Sequence, residues 1–301
     1  MLALVGLAKP KFYDWKRRSN QKNQHNGKIP KDTWIHGDER RAIIDYFTQH
    51  PLNGCRRLSY MMVDDNVAFV SPNTVYRVLK SEGLIDKKSR GTSQKGTGFD
   101  QPLTPHEQWH IDISYINAGG TFYYLCSILD GYSRYIVHWD IKEAMKEDQV
   151  EIIVQQALEK FKSTNPRLIS DNGPQFRAKE FKVFIKLSGM DQTFTSPYYP
   201  QSNGKIERWH KTLKKTCIRP KQPKDLESAK KYIAEFIDQY NNVRLHAATG
   251  YITPKDMLDG KADKIKKERN AKLKKARDER KRKWHDLKKR AESELFIAKP
   301  A

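Results

Sequence analysis

Trp109-His110-Ile111-Asp112-Ile113-Ser114-Tyr115-Ile116 alternates with the two-residue period of a strand, and its reading decides the fold. Trp109, Ile111 and Ile113 fall on one face, and His110, Asp112 and Ser114 on the other. A carboxylate at mid-strand either solvates an edge or has a partner, because burying it alone is expensive. Downstream, Asn117-Ala118-Gly119-Gly120 is a turn signal, and 122–129 is a second apolar run. Asp130-Gly131-Tyr132-Ser133 turns again before a third strand at 135–141. Three strands joined by short turns make an antiparallel meander.

The pattern then changes to helix over 147–161, with Val150, Ile153, Val154, Ala157, Leu158 and Phe161 as its apolar stripe. A short strand, 167–170, ends at Asp171. Helix 178–187, strand 192–195, a segment held by Pro197 and Pro200, helix 203–218 and helix 225–241 follow. This order predicts an α/β fold, a mixed five-stranded sheet with flanking helices, as in ribonuclease-H-like domains. It spans a core of 105–260. Residues 86–104, rich in Lys, Ser, Gly and Thr, read as a linker.

Upstream, 38–85 carries three short helical patterns: 38–49, 56–64, and a third opened by the N-cap Ser71 with Pro72 in the first turn. Val75, Val78 and Leu79 face inward; Asn73, Thr74, Tyr76, Arg77 and Lys80 are expected to face outward. A polar, basic face on the last of three helices is the pattern of a helix-turn-helix, whose last helix enters the DNA major groove. An ordinary three-helix bundle gives the same apolar pattern. Residues 1–37 read as a basic arm, with 9–37 as linker containing Arg17, Arg18, Lys22 and Lys28. Residues 261–301 read as a basic, helical or partly disordered tail without a clean heptad. It is either a solvated helix or one that lies along DNA or another subunit.

Charge supports a polyanionic partner. The 301 residues carry a net charge of +21, with 18 Lys and Arg against 10 Asp and Glu in 1–100, and 17 against 7 in 261–301. Basic ends around a nearly neutral middle point to nucleic acid. Cys55, Cys126 and Cys217 form no CxxC pair, which disfavours a zinc finger or disulfide framework and fits a reducing, cytoplasmic compartment. The apolar opening at 1–8 lacks a basic flank before it, and no apolar run is long enough to span a bilayer.

Among 36 acidic residues, three stand out by context. Asp112 lies mid-strand, Asp171 ends a strand before Asn172-Gly173, and Glu207 lies on a helix after Ser196-Pro197-Tyr198-Tyr199-Pro200. Taken singly, Asp171 also reads as a turn residue and Glu207 as a surface helix residue. Together with Ile128-Leu129-Asp130-Gly131-Tyr132-Ser133-Arg134, Ser170-Asp171-Asn172-Gly173-Pro174-Gln175-Phe176 and Gln201-Ser202-Asn203-Gly204-Lys205-Ile206-Glu207-Arg208, they resemble the integrase catalytic core of retroviral integrases and bacterial insertion-sequence transposases. Thirty-five residues separate Asp171 from Glu207, the spacing of the family's D,D(35)E signature. Tyr240-Asn241-Asn242-Val243-Arg244-Leu245-His246 with Thr253-Pro254 resembles its C-terminal motif. The resemblance covers roughly 40–260. It is closer to transposases made from the second of two overlapping reading frames, since the chain has no His/His/Cys/Cys zinc cluster.

The resemblance implies that Asp112, Asp171 and Glu207 are catalytic and hold two Mg²⁺ or Mn²⁺ ions, with Asp112 bridging. Hard divalent cations take oxygen ligands. Lys211 and Lys214, at +4 and +7 from Glu207, are implied DNA contacts; Arg208 and His210 are expected to point elsewhere. His110 is read as a bystander. The implied function is metal-dependent cleavage at the terminal inverted repeats of a mobile element, then strand transfer by the 3′-hydroxyl into target DNA. Implied partners are DNA, further copies of the chain, and a product of an upstream frame that Pro10, Phe12, Tyr13 and Trp15 resemble the junction to. The implied location is a bacterial, nucleoid-associated cytoplasmic one, with no membrane partner. Two other readings compete: a DNA-binding derivative without catalysis, and a plain ribonuclease-H-like nuclease. The complete triad opposes the first, and the basic flanks oppose the second.

Overall fold

The apolar alternation at 108–118 becomes the central strand of a five-stranded sheet. The computed structural model describes residues 8–17, 19, 34–85, 101–162, 164–195 and 203–297. Arg18, Lys22 and Lys28, linker residues 86–100 and the segment 196–202 lie outside them. Strands β1 (Gln108–Ala118), β2 (Thr121–Asp130), β3 (Ile136–Lys142), β4 (Arg167–Ser170) and β5 (Gln192–Phe194) are ordered β3-β2-β1-β4-β5. The meander β1-β2-β3 is antiparallel, whereas β4 runs parallel to both β1 and β5. The fold class is the expected mixed sheet flanked by helices.

The helices follow in chain order. α1 (Lys9–Arg17), α2 (Gly37–Gln49), α3 (Cys55–Asp64) and α4 (Pro72–Ser81) precede the sheet. α5 (Glu147–Lys160) joins β3 to β4, and α6 (Pro174–Arg177) with α7 (Lys179–Leu187) joins β4 to β5. α8 (Gly204–Leu213), α9 (Arg219–Lys221), α10 (Leu226–Asn242), α11 (Pro254–Leu258) and α12 (Ala262–Ile297) follow. Within the expected N-terminal arm, Lys9–Arg17 form α1, none of whose residues is buried.

Both faces of the sheet are covered, so β1 serves two cores. Trp109 and Ile111, with Cys126 and Ile128 of β2, pack under α5 and α7 against Val150, Ile153, Phe181 and Ile185. Ile116, Leu125 and Leu129 pack on the opposite face under α8 and α10, against Ile206, Trp209, Leu213 and Phe236. Each fully buried Leu, Ile or Phe contributes about 1.5–3 kcal/mol relative to exposure. Asp112 lies on this second face by alternation, and that brings α8 over it.

A third core holds α2, α3 and α4 together through Ile43, Leu58, Met62, Val75 and Leu79. Ser71 caps α4 by accepting the Thr74 N–H at 3.3 Å. The expectation that Thr74 faces outward is corrected: it is buried, and its hydroxyl hydrogen-bonds Ser71 Oγ at 3.0 Å. Asn73, Tyr76, Arg77 and Lys80 are exposed.

The tail is a long helix, and its inner face packs on the chain's own three-helix unit. Ala262, Arg269 and Ala276 are buried at seven-residue intervals, followed by Arg280. The seam is carried by Ala and Arg, so hydropathy alone shows no heptad. Arg269 donates to both carboxylate oxygens of Asp64, at 2.8 and 2.6 Å, and to Tyr251 O at 2.8 Å. Arg280 donates to Glu39 at 2.7 Å and Phe69 O at 3.1 Å. Trp284 stacks on His36 at 5.1 Å and meets Trp34 edge-on at 5.4 Å. No helix among the described residues is long and apolar enough to cross a membrane.

Candidate active site

The parallel pairing of β1 with β4 sets the first two carboxylates. His110 is in register with Ile169, so two further residues along each strand put Asp171 beside Asp112. Neighbouring strands lie about 4.8 Å apart, within reach of one metal-binding site. Asp171 Oδ1 accepts the Gly173 N–H at 2.9 Å, closing a tight turn at the strand end. Asn172 donates to Thr195 O at 2.9 Å, tying the end of β4 to the end of β5. Gln175 reaches Met145 O at 3.2 Å, so this motif also locks α6 against the start of α5.

Glu207 comes from α8, whose Ile206, Trp209, His210 and Leu213 are buried against the sheet. Glu207 itself is exposed. Burial raises the carboxyl pKa of both Asp171 and Glu207, and the Asp112 charge raises each further. The Gly173 N–H opposes this at Asp171, and His210 opposes it at Glu207. The three carboxylates therefore share one field centred on Asp112. They do not close around a point: among the described residues no three His, Cys, Asp or Glu side chains stand close enough to hold a metal ion. As a donor set, the Asp171 and Glu207 carboxylates, each repelled by the Asp112 charge, suit a hard divalent cation, which would relieve that repulsion.

His210 corrects the expectation that it points away from the site. Its ring is buried, with Nδ1 3.2 Å from Asp112 Oδ2 and Nε2 3.4 Å from Ser127 Oγ. The other Asp112 oxygen accepts the Ile113 N–H at 2.9 Å. Three residues beyond Glu207, His210 occupies the helix face turned to the sheet, a signal that spacing held. His110 does not touch Asp112; its Nδ1 lies 3.3 Å from Asn203 Oδ1.

The helix expected over 203–218 is interrupted. After Leu213 a π turn, Lys214–Ile218, carries the chain to α9, with the Arg219 N–H bonded to Lys214 O. Pro220 follows at once, and its missing N–H and bulky ring do not fit a regular ladder. Lys214, at the start of this turn, is half-buried; burial lowers its pKa while the nearby Asp112 charge raises it. Lys211 is exposed.

The family described as integrase core domain matches residues 102–200, and a second description of the same domain matches 188–254. These matches cover β1 to β5 and α8 to α10 without a gap. The chain belongs to the integrase-core family. Transposase InsD of insertion element IS2A/D/F/H/I/K from Escherichia coli is 24% identical over 254 residues, covering 77% of this chain and 84% of that one. InsD of IS2-9 from Escherichia coli strain K12 is 24% identical over the same length, covering 77% and 83%. A chain of the simian T-cell lymphotropic virus intasome, in complex with PP2A regulatory subunit B56 gamma, is 17% identical with a TM-score of 0.48, covering 72% and 74%. The HTLV-2 integrase catalytic core in complex with magnesium is 17% identical with a TM-score of 0.42, covering 52% of this chain and 98% of that one. The activity of an integrase-core chain with transposase relatives is of the transposase or integrase class, a polynucleotidyl-transferase type of enzyme.

Proposed function

We propose that this chain is a transposase that binds the terminal inverted repeats of its mobile element and catalyses metal-dependent DNA cleavage and strand transfer. This reading is supported by Asp112 and Asp171 standing on adjacent strands of an integrase-core sheet, with Glu207 on the helix packed over that face. Asp112, Asp171 and Glu207 would hold one or two divalent cations. Bound there, Mg²⁺ or Mn²⁺ supplies charge neutralisation for the attacking and leaving oxygens.

The residues of the chain supply position. β1 and β4 fix two carboxylates on adjacent strands, and α8 brings the third over them. His210 Nδ1 lies 3.2 Å from one Asp112 oxygen and would restrain that carboxylate. In cleavage, a water oxygen bonds to phosphorus and the bond from phosphorus to the 3′ oxygen breaks; that oxygen leaves and takes a proton. In strand transfer, the freed 3′-hydroxyl attacks another phosphodiester, loses its proton, and displaces a second 3′ oxygen. Lys214 lies near the centre to meet the anionic backbone. The exposed Asn73, Tyr76, Arg77 and Lys80 of α4, and Lys211 of α8, are proposed DNA contacts. Copies of the chain would assemble on two ends, since synapsis needs two active sites. An upstream-frame product is a further proposed partner.

Incubation of the purified chain with its terminal repeats and Mg²⁺ tests the reading. Nicked and joined products are expected. Asp112→Asn, Asp171→Asn and Glu207→Gln should each lower joining by at least about 10³-fold with binding near normal. Full activity in any of the three overturns the assignment.

A further inference from the structure

Four basic residues from separate segments form two neighbouring pairs: Arg134, before β3, acts on Lys205 of α8, and Arg244, after α10, acts on Arg57 of α3, with His246 in the field of Arg57, Arg134 and Arg244. All four are half-buried. Their placement is fixed by local bonds. The buried Asp130 carboxylate accepts the His106 N–H at 2.8 Å, the Ser133 N–H at 2.7 Å and the Ser133 hydroxyl at 2.6 Å. The turn so formed leaves Arg134 at φ 68°, with its guanidinium donating to Gly131 O. Gly131 must be small here, because a Cβ would lie 3.1 Å from Gln108 O and 3.2 Å from His110 Nε2. His110 in turn contacts Asn203, which caps α8 and so places Lys205.

The other side is tied as closely. The Asn241 side chain accepts the Ile136 N–H at 2.9 Å and donates to Ile136 O at 3.1 Å, binding the end of α10 to the strand after Arg134. Tyr240 packs edge-on against His246 at 4.3 Å. Arg57 Nε donates to Leu245 O at 2.9 Å, next to Arg244, and thereby joins the three-helix unit to the core.

None of the four forms a salt bridge among the described residues. The nearest acids hydrogen-bond within their own turns, Asp130 as above and Glu107 with the N–H groups of Leu103 and Thr104 at 2.8 and 3.3 Å, while the Asp130 charge still reaches Arg134 and Lys205 and the Glu107 charge reaches Lys205. Burial, followed by the Arg244 charge, pushes Arg57 down to about 10. Burial, followed by the Arg134 charge, pushes Lys205 down to about 8. Burial also lowers Arg134 and Arg244. Half-buried cations that repel one another and outnumber the carboxylates near them are costly unless an anion joins them.

We propose that Arg57, Arg134, Lys205 and Arg244 form a phosphodiester cradle that grips the DNA backbone between the three-helix unit and the carboxylate face. Its ligand class rests on the transposase reading; its existence as an anion site rests on the cluster. His110, which the Lys205 and Arg134 charges reach, lies two residues along β1 from Asp112, or about 6.6 Å. That is about two nucleotide steps of a strand rising about 3.4 Å each. The cradle would therefore hold backbone flanking the scissile bond, and none of the residues carrying it belongs to the triad.

The test uses the full chain, a fluorescein-labelled duplex of arbitrary sequence and no divalent metal. Affinity is measured against NaCl concentration. Each phosphate contact contributes about 0.9 to the slope of log affinity against log salt. Lys205→Gln and Arg244→Gln should each lower the slope by about 0.9 and weaken binding several-fold for every duplex. Lys205→Arg and Arg244→Lys should restore the slope. Circular dichroism confirms folding; Lys205→Gln decides the matter if Arg244→Gln does not fold, since the Lys205 ammonium makes no hydrogen bond among the described residues. Unchanged slopes in folded variants overturn the cradle. If the wild-type chain joins ends while slopes stay unchanged, the cradle fails and the transposase reading stands. If slopes fall while the wild-type chain cuts nothing, the cradle stands and that reading fails.

Discussion

Asp112 sits on the sheet face that α8 covers, and this makes His210 its nearest side-chain partner at 3.2 Å. A residue that orients a ligand carboxylate tunes what the carboxylate can hold, typically by 10- to 100-fold in metal affinity. His210→Ala should therefore weaken Mn²⁺ binding by about that factor, read by calorimetry, with His210→Gln recovering part of it. Equal Mn²⁺ affinity in His210→Ala and wild type would remove the positioning role. His246 gives a different prediction at this scale. Burial, then the charges of Arg244 and Arg57, hold its pKa down to about 3. The unfolded chain takes up this proton near pH 6.5, so stability is present above that pH and falls as pH drops toward 3. One histidine contributes a slope of up to about 1.4 kcal/mol per pH unit. Denaturant midpoints of wild type at pH 7, 6 and 5 should fall more steeply than those of His246→Gln; parallel curves would refute it. Thr74 shows why side-chain direction is hard to read locally. Its polar side chain reads as outward-facing, but it stands four residues before the buried Val78 on the inner stripe, and its N–H and hydroxyl both bond Ser71 Oγ.

The elements that position the site were largely legible, because period and turn chemistry are local. Strands β1 to β3, the turn after Asp171 and the start of α4 all follow from patterns within about ten residues. The break in the helix after Leu213 was not, although Pro220 is its cause, because proline alone does not say whether a helix kinks, widens or stops. The turn between β1 and β2 depends on a distant contact too. Gly119 has φ 59°, its N–H donates to Pro223 O at 2.9 Å, and a Cβ would meet Lys224 O at 2.0 Å. Gly119→Ala should destabilise the chain by at least about 2 kcal/mol, measured by urea unfolding, because backbone rather than a side chain must yield. A change under about 0.5 kcal/mol would show that the turn relaxes freely.

For the whole molecule, α12 decides how the three-helix unit sits on the core. The Arg269–Asp64 and Arg280–Glu39 pairs reach across 205 and 241 residues of sequence. Arg269 is buried, so removing its partner leaves an uncompensated charge. A double-mutant cycle of Asp64→Asn and Arg269→Gln should give a coupling of about 1–3 kcal/mol in unfolding free energy. A coupling near zero would make the strap incidental. The sequence by itself determined the alternating strands, the three-helix pattern, the basic ends and the three carboxylates with their spacing, because each is written in local period or in a motif of adjacent residues. Only the tertiary structure decided that His210 faces Asp112, that four cations from separate segments converge, and that the basic tail binds its own amino-terminal unit. Those contacts join residues tens to hundreds of positions apart, and no local pattern of hydropathy or charge encodes which distant surface a side chain will meet.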